Sequence, residues 1–252
     1  MRNSLKQFHQ IVNQIYDNII NAPENQDAFE KAAELMARTV ENGRLIYLCG
    51  PGGHSNMHTE ECLCRAGMLV QLSPMIDTTS LLHGTTKTRF LQRSGGYAKG
   101  LLEEYDVREN DVIIVINAYG INFLTIDMAI EAKKKGLHVI GITSREFGKI
   151  ISGDHPARHT NRKNLEDVCD ILIDCKMPEG DAVIDIKGCE QKVGPTSTLC
   201  NVFTIHLLML ETVELLAEKT NPKIWRSINM PGGDAYNASF FKEYGQRIKF
   251  LL

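Results

Sequence analysis

Apolar residues recur along the chain in two patterns, first at helical spacing and then in short continuous runs. Helical spacing covers residues 3–21 and about 26–41, which predicts two leading helices. The later apolar runs have the length of single strands, and helical segments separate most of them. These runs are residues 45–49, 68–72, 112–116, 137–142 and 168–174. Continuous apolar runs of this length are typical of strands buried on both faces of a parallel sheet.

This alternation predicts an α/β fold, a doubly wound three-layer sandwich with a mainly parallel sheet. No linker or internal repeat interrupts the pattern, so we expect a single domain over residues 1–252. Within it, residues 1–42 are interpreted as an N-terminal helical arm and residues 239–252 as a C-terminal tail. The other expected segments are a polar loop over 76–90, a helix over about 94–105, a hairpin over 178–193, a long helix from 196 to about 219 and a loop over 231–237.

The composition is that of an ordinary globular chain. Hydrophobic residues make up 43% and charged residues 23% of the 252 positions, and the formal net charge is −3. Because no long basic run occurs, a nucleic-acid partner is not expected. The seven cysteines are an odd number, which favours reduced thiols and a cytoplasmic location. No run of about 18 apolar residues exists, so neither a membrane span nor a membrane partner is expected.

The most informative stretch is residues 45–67, which read LIYLCGPGGHSNMHTEECLCRAG. An apolar strand is followed by a glycine-rich turn and then by residues 57–66, which have helix-forming composition. A strand, a glycine turn and a helix start place free backbone N–H groups at the carboxyl edge of a sheet, where they can hold an anion or a polar small molecule. A purely structural tight turn is the alternative interpretation of this one segment.

Two further strands end in small polar residues, and so does the turn before the long helix. In an open α/β sheet such turns gather at one edge, so together they predict a pocket for a polar ligand. The predicted binding residues are Gly53, His54, Ser55, Asn117, Tyr119, Gly120, Asn122, Thr143, Ser144, Thr196, Ser197 and Thr198.

At these residues the chain resembles the SIS (sugar isomerase) domain superfamily, in particular its stand-alone phosphosugar-binding proteins. The resemblance covers about residues 1–237. It is carried by GGHS at 52–55, Glu60-Glu61, Arg65-Ala66-Gly67, Leu82-His83, Gly96-Tyr97, residues 115–122, Asp154-His155-Pro156, residues 179–182, residues 193–198 and Gly232-Gly233-Asp234.

The resemblance implies a five-stranded parallel sheet, a homodimer or homotetramer, and a sugar or sugar-phosphate site at the turns after the strands. It implies an aldose–ketose isomerase that transfers a proton between C1 and C2 of the sugar, with no cofactor. Two alternatives stay open. One is a non-catalytic phosphosugar-binding regulatory protein, and the other is an amino-sugar-phosphate deaminase or isomerase.

Two turns depart from the family pattern. The turn after the third strand usually carries serines around a glycine, whereas residues 117–122 here read NAYGIN. The first turn has one extra residue, so either His54 or Ser55 could replace the first serine. Because the leading hydroxyls are missing, an unphosphorylated sugar or a different anion becomes a plausible ligand.

The expected catalytic residues are Glu60 and Glu61, on the first turns of the helix that faces the pocket, and His83 in the polar loop. Carboxylates and histidines suit proton transfer because burial and neighbouring charges tune their pKa values. His54, His58 and Glu61 could share a helical face and bind a metal, but His54 precedes the helix and no metal is predicted. His155 and His159 share a loop that could close over a ligand.

Overall fold

The structure is a computed structural model that describes residues 3–252. Its strands are β1 Ile46–Cys49, β2 Leu72–Pro74, β3 Val112–Ile116, β4 His138–Thr143, β5 Ile171–Asp174, β6 Ala182–Ile184 and β7 Val193–Pro195. Its α-helices are α1 Asn3–Asn21, α2 Pro23–Glu41, α3 Ser55–Glu60, α4 Thr85–Gln92, α5 Tyr97–Glu103, α6 Phe123–Lys134, α7 Arg145–Ile150, α8 Ser197–Ala217 and α9 Gly233–Tyr244.

Five strands form one parallel sheet in the order β2-β1-β3-β4-β5. After β1 the chain moves to one side to form β2 and then crosses to the other side to form β3. The boundary between β1 and β3 is therefore a topological switch point, where a crevice opens at the carboxyl ends of the strands. The predicted α/β architecture with a five-stranded parallel sheet is confirmed.

Helices cover both faces of the sheet, which makes the sandwich three-layered. Alternate residues of β3 point to opposite sides: Ile114 and Ile116 join the core formed with α2 and α8, while Ile113 and Val115 join the core formed with α5, α6 and α9. The apolar runs seen in the sequence are continuous because each strand is buried on both faces.

The two leading helices differ in how deeply they pack. Helix α2 begins with Pro23 at its first turn and buries an alanine-rich face against the sheet and α8, so it is a layer of the domain rather than an arm. Helix α1 buries Ile15 and Ile19 but leaves Leu5 and Ile20 exposed.

The second strand lies further along the chain than predicted. β2 is Leu72–Pro74, and the apolar residues before it pair with the chain near its end, where Leu69 forms an antiparallel bridge to Ile224. Pro74 was expected to end the strand. It fits inside β2 because β2 is an edge strand, where a missing N–H breaks no ladder.

The C-terminal segment was expected to be a loop and a tail, and that expectation is wrong. Helix α9 begins at Gly233, and its Phe240 ring packs edge-on against Trp225 with centroids 5.7 Å apart. Tyr244, Ile248 and Leu251 are also buried in the core that α9 shares with α5 and α6. The region 76–90 is likewise not all loop, because α4 begins at Thr85.

Two more expectations are confirmed. β6 and β7 form the antiparallel hairpin expected over residues 178–193, and all seven cysteines are free thiols. Helix α8 is long and apolar enough to cross a membrane by length and composition alone. Core helices pass the same test, and α8 contributes Ile205, Leu208 and Met209 to the core.

Candidate functional site

A cavity of about 820 Å³ opens at the switch point, beyond the carboxyl ends of β1 and β3. We call it the carboxyl-edge cavity. Its walls come from the turns after both strands, the start of α8, helix α4 and the loop after α7. The lining includes Gly52, Gly53, His54, Ser55, His58, Thr85, Thr88, Arg89, Gln92, Asn117, Tyr119, Asn122, His155, Asp181, Ser197, Thr198 and Asn201.

Of the predicted binding residues, eight line this cavity and four lie behind its wall. The eight are Gly53, His54, Ser55, Asn117, Tyr119, Asn122, Ser197 and Thr198. The four have structural partners instead. Thr143 Oγ1 donates to Ala118 O, Ser144 caps α7, Thr196 Oγ1 donates to Asp181 O, and Gly120 donates its N–H to Asn117.

In the turn after β1, most backbone N–H groups already donate to acceptors within the protein, so few are available to a ligand. The N–H of Gly52 donates to Gly50 O at 2.7 Å and that of Ser55 to Gly52 O at 3.3 Å. The N–H of Gly53 donates to Ser80 O at 3.0 Å. The expectation of an open backbone anion site in this turn is therefore wrong for these three groups.

The turn after β3 is closed by a side chain of the protein. Asn117 Oδ1 accepts the N–H groups of Tyr119 at 3.1 Å and Gly120 at 2.9 Å. Its Nδ2 donates to Ser55 Oγ at 3.1 Å, which ties this turn to the turn after β1. The buried Asn117 amide thus takes the place that an external acceptor would have in a serine-rich turn.

The start of α8 is also occupied from within the chain. Asp181 Oδ1 accepts the N–H groups of Thr196 at 2.7 Å and Ser197 at 2.6 Å, and its Oδ2 accepts the Ser197 hydroxyl at 3.0 Å. A helix N-terminus favours an anion, and here that anion is the Asp181 carboxylate. A ligand in the cavity must therefore be bound mainly by side chains.

Two buried side chains of the cavity wall have no protein partner. His58 on α3 and Asn201 on α8 are buried, and none of their side-chain nitrogen or oxygen atoms makes a hydrogen bond of normal distance and angle among the described residues. The backbone of Ser55 lies close enough to the His58 ring to favour its charged form, but burial has the larger effect. Burial lowers the pKa of His58 to about 4, so its ring is neutral at pH 7, with one donor and one acceptor. Buried polar groups rarely lack partners, so this pair is suited to bind hydroxyl or carbonyl groups.

The predicted catalytic residues do not line the cavity. Helix α3 ends at Glu60, which is exposed, and Glu61 is the residue after it, so neither carboxylate lies in the first turns as expected. Glu61 Oε1 lies 3.3 Å from His206 Nε2 on α8 and 3.3 Å from Arg65 Nε. His83 is exposed and outside the lining.

The helix after β1 is shorter than its composition indicates. Residues 61–64 form a turn, and Cys64 has a positive φ of 51°, which an α-helix does not allow. Within residues 3–252, no group of three or more histidine, cysteine, aspartate or glutamate residues could hold a metal ion.

The sequence interpretation missed several lining residues. Arg89 and Gln92 lie on α4. Arg89 fell in the region 76–90 that was assigned to a loop, and Gln92 fell between that loop and the helix predicted from about 94, so neither was considered for the site. Asp181 was considered only as part of residues 179–182, which carry the family resemblance. Asn201 was not considered, because the helical segment around it is mostly apolar. The signal for Asn201 in the sequence was a polar residue inside an otherwise apolar helix, which is weak on its own.

The loop after α7 is organised around a buried cation. Arg158 is buried and donates to five acceptors, and among the described residues it has no carboxylate partner. The acceptors are Gly148 O, Ile151 O, Ser152 O, Arg162 O and Asn164 Oδ1. The same loop brings His155 to the cavity, while His159 turns away and contacts Asp127 at 3.0 Å.

Comparison with known proteins identifies the chain's relatives. A family model described as SIS domain matches residues 7–144. The UPF0309 protein of Shouchella clausii is 32% identical, over 98% of this chain and 99% of its own length. The UPF0309 protein of Oceanobacillus iheyensis is 34% identical, over 93% of this chain and 94% of its own.

Two solved structures share the fold. The phosphoheptose isomerase of Neisseria gonorrhoeae superposes with a TM-score of 0.51 at 16% identity, covering 85% of this chain and 95% of the isomerase. A phosphoheptose isomerase from Francisella tularensis also has a TM-score of 0.51, at 15% identity, covering 87% and 100%. At these identities the likeness concerns the fold alone.

Proposed function

The chain belongs to the SIS-domain family, and we propose that it binds a sugar or sugar phosphate and interconverts its aldose and ketose forms. The observation that carries the proposal is the pair His58 and Asn201, two buried polar side chains without protein partners in the wall of one cavity. Sugar hydroxyl and carbonyl groups offer the donors and acceptors that this pair lacks.

In this proposal His58 and Asn201 bind the oxygens at C1 and C2. The reaction moves a proton between the two carbons and builds negative charge on the carbonyl oxygen. A neutral imidazole N–H and an amide N–H, held in a buried site, stabilise that charge without first giving up hydrogen bonds to water. The pKa of about 4 keeps His58 neutral, so it acts as a hydrogen-bond donor.

We assign the proton transfer between carbons to Glu61, with His206 as the residue that orients its carboxylate. Glu61 lies outside the cavity lining, so this assignment requires its side chain to turn toward the cavity when the sugar binds. Glu61 follows His58 by three residues and His206 follows Asn201 by five. At a rise of about 1.5 Å per residue, three to five residues advance about 5 to 8 Å along a helix axis, so both side chains lie about one turn or more beyond the cavity pair. The contact of 3.3 Å between Glu61 Oε1 and His206 Nε2 joins a carboxylate and an imidazole, two groups suited to general acid–base catalysis. Glu60 and His83 have less support because both are exposed.

A phosphate group, where the substrate carries one, would be bound by side chains. Arg89 offers a guanidinium group at the cavity wall, and the buried Arg158 adds a positive charge in the loop after α7, which also carries the lining residue His155. Side chains are needed because several backbone N–H groups of the two turns, those of Gly52, Gly53, Ser55, Tyr119 and Gly120, already have acceptors within the protein.

The proposal is tested by incubating the protein with a panel of aldoses, ketoses and their phosphates in heavy water. We expect deuterium to appear at C1 or C2 of at least one sugar, detected by NMR. Glu61→Gln should slow this exchange about a hundredfold or more, whereas Glu60→Gln, the same chemical change one residue earlier, should have a much smaller effect. Exchange in no member of the panel would count against isomerisation.

One observation favours a second candidate, a non-catalytic sugar-phosphate sensor. Asp181 is the only carboxylate among the described lining residues, and it is engaged by the start of α8. A sensor would show a ligand-dependent rise in thermal midpoint with no exchange, and no change in binding for Glu61→Gln. Ammonia release from an amino-sugar phosphate would instead indicate a deaminase.

The proposal includes assembly into a homodimer or homotetramer. Exposed apolar side chains on α1 and α8, among them Leu5, Ile20 and Leu210, support it because such residues favour protein contacts. Light scattering on the purified chain would test it, and a mass of one chain at working concentration would contradict it.

A further inference from the structure

A second cavity, of about 780 Å³, lies at the opposite edge of the sheet, where β1, β3 and β4 begin. We call it the amino-edge cavity. Residues next to or at the start of these strands line it, namely Leu45, Asp111 and His138. The end of α2 and the chain after α9 form the remaining walls. Nothing in the proposed sugar chemistry uses this space.

The charges around this cavity are unbalanced. Four guanidinium groups and two carboxylates line it, namely those of Arg38, Arg44, Arg108, Arg247, Asp106 and Asp111. Arg38 also pairs with Glu34 at 3.4 Å, just outside the lining, so among the described residues the cavity has one guanidinium group without a carboxylate partner, in a chain whose formal net charge is −3. A concave surface with an excess of one sign concentrates ions of the opposite sign.

The arginines differ in how many of their N–H donors already have acceptors within the protein. Arg44 is structural, because its Nε donates to Asp111 Oδ1 at 2.6 Å and Asp111 is buried. Arg108 is exposed, and its one ion pair among the described residues is with the exposed Asp106. Arg247 donates to Gly43 O at 2.7 Å and, among residues 3–252, has no carboxylate within ion-pair distance. Each guanidinium has five N–H donors, so Arg108 and Arg247 keep most of theirs.

We propose that the amino-edge cavity binds a small molecule that carries two or more phosphate groups. Arg108 and Arg247 come from separate segments, so each presents its own planar donor fork, and such forks bind phosphate oxygens in pairs. The side-chain amides of Asn42, Asn110 and Gln246 in the lining can bind the rest of the molecule. The volume is in the range of small-molecule sites.

The test is a calorimetric titration of the full chain with inorganic pyrophosphate at low salt. We expect binding that the double variant Arg108→Gln/Arg247→Gln weakens about tenfold or more, because charge-assisted hydrogen bonds are lost. Arg226→Gln removes the same charge outside both cavities and should leave the affinity within about twofold. The single variant Arg38→Gln, at an exposed helix position, should weaken binding on its own even where the double variant folds poorly.

Four results would overturn the proposal. One is an absence of pyrophosphate binding by the wild-type chain, and another is equal affinity in the wild type and the folded double variant. The third is a loss of binding caused by Arg89→Gln alone, which would assign the pyrophosphate to the carboxyl-edge cavity. Orthophosphate binding as tight as pyrophosphate binding would contradict a requirement for two phosphates. The sugar exchange assay has no bearing on any of these results.

Discussion

The two cavities lie at opposite edges of one sheet and satisfy their polar groups in opposite ways. At the carboxyl edge, His58 and Asn201 are buried, neutral and without protein partners. At the amino edge the charged groups have partners: the half-buried Arg44 pairs with the buried Asp111, and Arg108 pairs with Asp106 in a contact open to solvent on both sides. The carboxyl edge therefore carries the larger energetic cost, because unpaired buried groups are expensive while exposed ion pairs contribute little.

This difference indicates where the molecule is built for a specific ligand. Buried groups without partners are tolerated in native proteins mainly where a ligand or water completes them. Exposed arginines attract anions over a longer range and with less demand on geometry. Substitutions at the carboxyl edge should consequently change stability and binding more than those at the amino edge.

The largest expected effect comes from a pair of glycines, one at each edge. In Gly50→Ala the new methyl group would overlap the carbonyl group of Ser55, so we expect a loss of about 3 kcal/mol or more in the free energy of unfolding. In Gly43→Ala nothing lies within 4 Å of the new methyl group, and only the positive φ of 68° is unfavourable, at about 1 kcal/mol. Urea denaturation of both variants measures the difference, and equal losses would contradict the comparison.

The next effect is the pH dependence that His58 contributes. The pKa of His58 is about 4 in the folded chain and 6.5 for a histidine exposed to water, as in the unfolded chain. Between pH 4 and pH 6.5 the unfolded chain therefore binds more protons than the folded chain. Stability should therefore fall as the pH drops from about 6.5 to 4, by about 3 kcal/mol for this group alone. Urea denaturation of wild type and His58→Phe across this range provides the test. A variant with the same pH slope as the wild type would contradict the buried neutral imidazole.

A smaller loss is expected from Asn117→Ala. The variant leaves the N–H groups of Tyr119 and Gly120 without their acceptor, at a cost of about 2 kcal/mol. It also frees those groups for an external anion, so sulfate should raise the thermal midpoint of the variant more than that of the wild type. Asn42→Ala, an exposed amide at the amino edge, serves as the control. An equal response to sulfate in all three proteins would show that the turn does not bind anions.

The smallest effect is expected from Arg108→Gln. Its ion pair with Asp106 is exposed on both sides, so the thermal midpoint should stay at the wild-type value within error. A clear drop in that midpoint would mean that the amino edge is more tightly ordered than its exposure indicates.

Much of the fold could be predicted from local pattern. The bounds of α1 match the periodic segment 3–21, and β3 matches the run 112–116. The predicted strand bounds were wrong where a segment of strand composition pairs with a distant part of the chain instead of with the sheet. Residues 68–70 have strand composition, yet they pair with residues 223–225 from the end of the chain, and the sheet takes Leu72–Pro74 instead.

The candidate site was only partly predictable. Eight of the twelve proposed binding residues line the cavity, because turns after parallel strands meet at one edge. The roles of Glu60, Glu61 and His83 depended on how far a helix extends and which way it faces. The turn at residues 61–64 redirects the chain after α3, and residue composition does not reveal that turn.

The sequence by itself determined the alternation of strands and helices and the edge of the sheet where the polar turns gather, because both follow from local spacing and chirality. Only the tertiary structure decided which polar groups remain free at that edge. Backbone N–H groups of three turns donate to acceptors within the protein, namely Ser80 O, the side-chain oxygen of Asn117 and the Asp181 carboxylate. Ser80 is 27 residues from Gly53, Asp181 is 15 residues from Thr196, and Asn201 lines the same cavity as His58 although 143 positions separate them in the chain. A hydrogen bond needs a partner at the right distance and angle, and folding alone supplies it.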